Sequence, residues 1–329
     1  MSEGQAPAQA DEVCVLTGWP RSHVKVGDLI AHALGAKRCH NPLECTPCRR
    51  VIYFDNLNWQ TAPLVSFLGP ERVVLYLVAE GPSTVDLSTA QSYVLHHVRG
   101  VASPSKFSAQ FIEEALRKVN RGVDMIIPHG IVIPPVRRPF SEKKGMLYRA
   151  YYMKRKFPGY GIVGLLRFHK LHPDYPIDVI TYGAPMDLLY ILQTVKFARV
   201  EPNLTDAQMM ELYDAHAFWL NLSDCEGFGL MPVEAMSFGE VVIAPRIPTI
   251  EETVPSSSNF LFPVDGTWDE PWGYLFIRHH KYDPDDLVEA MEKAITTPLA
   301  QLEDYSQKNI EHAKSYDYMK VYQRFLELL

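Results

Sequence analysis

Short apolar runs alternate with helical segments along most of the chain, and this constrains the fold more than any other feature. EVCVLTG (12–18), RRVIYFD, ERVVLYLVA, GVASPS and VDMIIP read as buried strands, separated by segments such as VGDLIAHALGA and SAQFIEEALRKVN that carry helical spacing. Strands that alternate with helices assemble into a parallel sheet, because each crossover has to return to the same sheet edge. The stretch GIVIPPVRRPFSEKKG (130–145) is rich in proline and charge and has no periodicity, so it reads as a linker. A second series follows at once: GMLYRAYY and PIDVITYG as strands around the helix PGYGIVGLLRFHKL, then DAQMMELYDA as a helix, AFWLNLS as a strand, PVEAMSFG as a short helix and EVVIAP as a strand.

The reading is therefore α/β, with two Rossmann-like domains in tandem. The expected divisions are 1–140, 141–310 and a C-terminal helix at 311–329. A length of 329 residues suits two domains of roughly 100 to 200 residues each. A hydrophobic share of 47% with 22% charged residues excludes disordered and fibrous classes.

Charge is unevenly distributed. Residues 1–140 hold 14 Lys+Arg against 12 Asp+Glu, residues 141–200 ten against four, and residues 201–329 eight against 23. The net charge of −7 argues against a nucleic-acid partner, while the basic block after the linker asks for an anionic ligand. No apolar run approaches the length of a membrane helix, and the start MSEGQAPAQADE is unlike a signal peptide, so a cytoplasmic location is expected. Composition leaves peripheral membrane contact open.

Three of the five cysteines cluster with His40 in CHNPLECTPC. Zinc held by Cys45 and Cys48 with Cys39 or His40, a local disulfide, and free thiols in a loop are all open readings.

The most informative stretch is NLSDCEGFGLMPVEAMSFGEVVIAP (221–245). A strand ends near Ser223, a loop carries Glu226, Gly227, Phe228 and Gly229, and Pro232 suits the first position of a helix. Ligands of open parallel sheets bind beyond the carboxyl ends of strands, so this loop faces the expected pocket. The glycines let the backbone approach a ligand, and the helix N-terminus offers N–H groups to an anion such as a diphosphate. Glu234, read in the first helical turn, can accept two ribose hydroxyls; the plainer reading has it complement the helix dipole while Glu226 is solvated.

Glu226 and Glu234, with seven residues between them, resemble the E-x7-E element of the retaining, nucleotide-sugar-dependent glycosyltransferases of GT-B fold, family 4 (glycosyl transferases group 1). The likeness runs through EGFGLMPVEAMSFGEVVIAP and extends to GVASPSKFSAQFIEEA, VDMIIPHGIVIPP, IPTIEETVP and YDPDDLVEAMEKAI. It covers most of residues 100–320 and is weaker before them.

This resemblance implies a GT-B fold, two Rossmann-like domains facing a cleft with the C-terminal helix crossing back to the first domain, and sugar transfer from a nucleoside diphosphate sugar with retention, without a catalytic metal or other cofactor, to a carbohydrate, lipid or protein acceptor. It implies that Arg149, Lys154 and Lys156, with Arg155 leaving the register open, bind the diphosphate. It places Glu226 by the transferred sugar, Gly227, Phe228, Gly229 and Leu230 near sugar and phosphate, Glu234 on the ribose, and Arg199 and Val200 in the base pocket. On the acceptor side it suggests Gly18 and Glu80. The histidine that family members often carry facing the sugar is not evident after VVLYLVA, and His96 and His97 read as packing or surface residues.

Asp283-Pro284-Asp285-Asp286 has the spacing of a metal-binding D-x-D, but a cap, a first-turn proline and two dipole-facing carboxylates account for it. A glycosidase would need no diphosphate-binding block, and a dehydrogenase would need a G-x-G-x-x-G after the first strand. The remaining rival is a non-catalytic sugar-nucleotide-binding or scaffold protein with a reduced acceptor domain.

Overall fold

The computed structural model describes residues 12–18, 21–83, 88–151, 153–182, 186, 190–191, 204–273 and 275–329. They form two compact units, each built on a parallel sheet. Unit 1 comprises residues up to Val132, the segment Asp269–Arg278 and the tail Ser315–Leu329; unit 2 comprises Ile133–Trp268 and His279–Lys314.

In unit 1 the elements run β1 (Val13–Thr17), α1 (Arg21–Leu34), β2 (Lys37–Cys39), a 3-10 turn at Pro42–Cys45, β3 (Arg50–Asp55), α2 (Thr61–Leu68), β4 (Val73–Leu77), α3 (Thr89–His96), β5 (Gly100–Ser103), α4 (Lys106–Leu116) and β6 (Met125–Ile126). The sheet order is β2-β1-β3-β4-β5-β6, parallel throughout. Both faces are covered, so the strands read as unbroken apolar runs. Cys14, Leu16, Val51, Tyr53, Val73 and Leu75 pack on one face, and Val13, Val15, Ile52, Phe54, Val74 and Tyr76 on the other. Helix starts are set by side chains: Ser88 and Gln91 form a reciprocal capping box on α3, and Ser105 accepts the Ser108 N–H at 3.0 Å on α4.

Unit 2 continues with β7 (Met146–Tyr151), a 3-10 turn at Lys154–Lys156, α5 (Gly159–Leu171), β8 (Ile177–Tyr182), α6 (Asp206–Ala215), β9 (Phe218–Leu220), α7 (Leu230–Ser237), β10 (Val241–Pro245), α8 (Pro248–Thr253), β11 (Phe260–Phe262), the paired strands β12 (Gly266–Trp272) and β13 (Leu275–Lys281), α9 (Pro284–Thr296) and α10 (Leu299–Ala313). Its five parallel strands lie in the order β11-β10-β9-β7-β8. Asp283 caps α9 by accepting the Asp285 N–H at 2.8 Å, with Pro284 as its first residue.

The structure alters several sequence expectations. The contiguous division at 140/141 gives way to one at Val132/Ile133, and the hairpin tip 269–278 joins unit 1 because its backbone bonds there: Arg278 N–H to Glu80 O at 2.9 Å and Phe276 N–H to Pro82 O at 2.8 Å. The C-terminal segment is not one helix. It breaks after α10 into a 3-10 turn, the short α11 (Tyr318–Val321) and a final 3-10 stretch. Val321, Tyr322 and Phe325 of this tail pack into the unit 1 core, and the Tyr322 hydroxyl accepts the Gly130 N–H at 2.9 Å.

The cysteines pair across elements rather than within CHNPLECTPC. Cys14 of β1 is bonded to Cys48, while Cys39, Cys45 and Cys225 form no disulfide and are buried. Among the described residues no helix is long and apolar enough to cross a membrane.

Candidate functional site

Each sheet reverses strand order at one point, and ligands of such sheets sit outside the carboxyl ends of the two strands that flank the reversal. In unit 2 these strands are β7 and β9. The chain leaving β7 makes the turn Lys154–Lys156, and the chain leaving β9 makes the loop 221–229. The two segments are joined by backbone and hydroxyl bonds: Asp224 N–H to Arg155 O at 3.0 Å, and Ser223 Oγ to Arg155 O at 3.2 Å.

Glu226 sits at the centre of this junction. Lys156 Nζ donates to its Oε1, and Arg155 Nη1 lies 3.8 Å from its Oε2 while donating to Cys225 O at 3.1 Å. All three side chains are largely buried. Burial by itself raises the Glu226 carboxyl, but Lys156 and then Arg155 outweigh it and hold the group below its ordinary value. Glu226 is thus a buried carboxylate rather than a solvated one.

Lys154, by contrast, is exposed. A three-residue 3-10 turn points consecutive side chains in different directions, so only part of the basic block faces inward. Arg149 lies on β7 within electrostatic reach of Tyr213, whose hydroxyl lies 3.3 Å from Glu234 Oε2. The structure therefore gathers Glu226 with Arg155 and Lys156, and Arg149 with Tyr213 and Glu234.

The loop enters α7 through Gly229, whose φ of +85° is the left-handed conformation that glycine adopts without strain. Because Gly229 caps the helix, α7 starts at Leu230, and Pro232 is its third residue instead of its first. Pro is still tolerated there, since the first-turn N–H groups have no partner within the helix. Glu234 consequently lies beyond the first turn, half-buried, and dipole compensation is not its role. Gly227 and Phe228 are buried and Leu230 is half-buried. Arg199 and Val200 lie outside the described residues.

Sequence reading missed Asp224 and the residues it gathers. Asp224 accepts from the Tyr160 hydroxyl and pairs with His279 Nδ1 at 2.8 Å; its backbone O accepts the His280 N–H at 2.9 Å. His279 in turn stacks on Trp268, ring centroids 4.6 Å apart. No spacing in the sequence links position 224 to 279, which come together only through β13.

In unit 1 the reversal falls between β1 and β3, and a cavity of about 300 Å³ opens there. Thr17, Gly18, His40, Tyr53, Asp55 and Asn58 are part of its lining. Gly18 is required by proximity: a Cβ there would stand 2.2 Å from Asp55 Oδ2. Asp55 is buried; it accepts Tyr53 Oη at 2.6 Å, Asn58 Nδ2 at 3.2 Å and the Asn56 N–H at 2.8 Å. Burial nevertheless lifts its carboxyl above the usual range. His23 Nδ1 lies 3.6 Å from Asp55 Oδ1, and burial pushes this imidazole down to about 4, so it is neutral at pH 7. Glu80 is half-buried in the segment that bonds β13, not in a free loop.

No protein-family model matches the chain. A protein of Sulfolobus islandicus rod-shaped virus 1 named uncharacterized glycosyltransferase 335 is 25% identical over 320 residues, covering 87% of this chain and 90% of that protein. Among solved structures, the pneumococcal O-GlcNAc transferase GtfA, in complex with UDP and GlcNAc, matches 85% of this chain with a TM-score of 0.64 at 13% identity. TarM matches 86% with a TM-score of 0.62 at 12% identity. The trehalose-6-phosphate synthase OtsA matches 94% of this chain and 77% of its own, with a TM-score of 0.64 at 12% identity. The chain spans a little over half the length of the GtfA and TarM structures. At these identities the likeness is one of fold: two Rossmann-like domains in the GT-B arrangement of elements.

Proposed function

We propose that this protein is a glycosyltransferase that moves a sugar from a nucleoside diphosphate donor to a carbohydrate, lipid or protein acceptor. The observation that carries the reading is the buried Glu226 held by Lys156 and Arg155 at the strand-order reversal of unit 2, directly ahead of the Gly229-capped helix. Cations kept dry at such a point bind an anion more strongly than solvated ones, and a diphosphate that gains charge as the sugar leaves is the anion they suit best. Glu226 then has a sugar's hydroxyls and developing positive charge to stabilise, and Glu234 a ribose to hold. The family 4 resemblance of 221–245 and the names of the relatives support the same activity.

The finer parts of the proposal are retention of anomeric configuration, no requirement for a divalent metal in the transfer step, a donor held by unit 2 and an acceptor by unit 1. The cationic side chains take the part that a carboxylate-held divalent metal plays in other diphosphate sites. A nucleic-acid partner is not part of the reading.

The test is turnover by the full chain of UDP-, GDP- and ADP-sugars, with and without added magnesium or manganese, in the presence of acceptor mixtures. One donor class is expected to release its nucleoside diphosphate at the same rate in both conditions, and the product's anomeric proton to show the donor's configuration. An inverted product or a strict metal requirement contradicts the corresponding part. Binding of a donor with no turnover supports instead the sugar-nucleotide-binding rival.

A further inference from the structure

Four of the five cysteines of the chain converge in unit 1, although they come from three separate elements. Cys14 lies on β1, Cys39 ends β2, Cys45 closes the 3-10 turn and Cys48 follows it. The Sγ atoms of Cys14, Cys39 and Cys48 all lie within 4.8 Å of one another, and the Cys45 thiol, outside that group of three, is within interaction distance of Cys39. Each of the four residues is 0% or 1% exposed.

A disulfide explains two of these positions and leaves the Cys39 sulfur beside it and a fourth buried thiol, Cys45, next to Cys39. A four-coordinate thiolate site explains all four. With sulfur about 2.3 Å from a central zinc, tetrahedral ligands stand roughly 3.8 Å apart, within the 4.8 Å that bounds the separations of Cys14, Cys39 and Cys48; reduction of the Cys14–Cys48 bond and an inward turn of Cys45 complete the shell. The order of ligands also fits. Cys45 and Cys48 have the two-residue gap of a metal knuckle, closed by the Cys48 N–H to Cys45 O bond at 3.1 Å, and Cys14 and Cys39 come from paired neighbouring strands.

We propose that in the reduced chain Cys14, Cys39, Cys45 and Cys48 bind one structural Zn²⁺ as four thiolates, and that the Cys14–Cys48 disulfide is the oxidised, metal-free state of the same cluster. Passage between the two needs a dithiol reductant. It supplies two electrons and two protons to the Cys14–Cys48 bond and itself leaves as a disulfide. Four thiols then take up one Zn²⁺ and release four protons.

The charge balance around the cluster agrees with this. A zinc tetrathiolate carries two negative charges, and Lys37, Arg72 and Arg38, the last also paired with Asp28 at 2.9 Å, bind the backbone of the segments that would bear it. Lys37 Nζ donates to Glu44 O at 3.1 Å, Arg38 Nη1 to Cys39 O, and Arg72 Nη2 to Thr46 O at 3.0 Å and to Cys48 O. His40 is exposed, and it is not one of the ligands. It does line the neighbouring cavity with Pro42, and both lie between Cys39 and Cys45. The metal would therefore fix one wall of that cavity, whatever ligand the cavity takes.

The test uses the full chain, reduced with dithiothreitol, freed of the reductant without oxygen, supplied with zinc and freed of excess metal. Elemental analysis is expected to find about one zinc per chain. Cobalt in its place is expected to give sulfur-to-cobalt charge-transfer absorption and the intense visible bands of a tetrahedral site. Four thiols should resist alkylation until the metal is removed. Replacing any one of the four cysteines by Ser should weaken metal retention at least about tenfold, while Cys225→Ser and His40→Ala leave it unchanged. Substoichiometric zinc in the reduced wild type, a cobalt spectrum without thiolate bands, or loss of metal in His40→Ala would overturn the assignment. The first two readings need no variant, so misfolding of a substituted chain does not obscure them.

Discussion

Glu226→Gln is expected to lower the transfer rate about 10²–10³-fold while nucleoside diphosphate binding stays at or above wild-type strength. The substitution keeps the shape of the side chain and an oxygen for Lys156 to meet, but removes the charge that Lys156 and Arg155 now share. Two buried cations without their carboxylate attract a diphosphate more strongly, since the anion becomes their sole compensation. The sugar, however, loses the carboxylate that would stabilise it as its bond to phosphate breaks. Lys156→Ala should do the reverse and weaken diphosphate binding, by about 1.5–3 kcal/mol for a lost charge-assisted hydrogen bond. Calorimetry and steady-state rates on both variants separate the roles. Parallel loss of binding and rate in Glu226→Gln would make the carboxylate a structural partner of the basic turn and remove it from the chemistry.

The second large effect is on stability and lies in unit 1. His23 and His129 are buried, and burial pushes them down to about 4 and about 3. His129 keeps a 2.7 Å contact from Nδ1 to the Tyr76 hydroxyl, and the ring of Phe54 packs against both imidazoles. An unfolded histidine titrates near 6.5, so between that value and 4 the unfolded chain binds protons that the folded chain excludes. Stability from these groups is therefore full above pH 6.5 and is lost as pH falls. From pH 7 to pH 5 the pair should cost about 3–4 kcal/mol. Carboxyl groups raised by burial, such as Asp55, act in the opposite direction, so the clean measurement is a difference. Urea titrations of the wild type and of His23→Gln/His129→Gln at both pH values should show that much less pH dependence in the double variant. Equal slopes would mean that the two imidazoles are not neutral in the folded chain.

The sequence carried the sheets well, because parallel strands buried on both faces leave uniform apolar runs and their crossover helices leave periodic ones. It also made the loop that carries the candidate site in unit 2 legible as a strand-to-helix connection. Gly227, Gly229 and Glu226 lie where a strand gives way to a helix, and that position is local. What it missed depends on distant contacts. Which of Lys154, Arg155 and Lys156 turns inward depends on how a single 3-10 turn meets the loop after β9, and consecutive basic residues give no sign of it. Asp224 and His279 come together only through β13. The burial of Asp55 and His23 follows from the strand-order reversal in unit 1, which no periodicity encodes. The helix start at Leu230 in place of Pro232 is a smaller lesson of the same kind. Proline signals a first turn, but the glycine at its left-handed φ fixes where that turn begins. The cysteines show how far such reading reaches: the C-x2-C gap of Cys45 and Cys48 is visible in the sequence, while Cys14, more than thirty residues earlier, enters through the pairing of β1 with β2.

In the proposed function, unit 2 carries a nucleoside diphosphate site in which Glu234 holds the ribose. Calorimetric titration of UDP, GDP and ADP into the full chain without added divalent metal, and into Glu234→Ala, tests it most directly. One of the three is expected to bind the wild type clearly more tightly than the others, with its affinity falling at least about tenfold in the variant, the loss of roughly one or two hydrogen bonds to a charged group. Absence of binding by all three, or equal binding by wild type and variant, would contradict it.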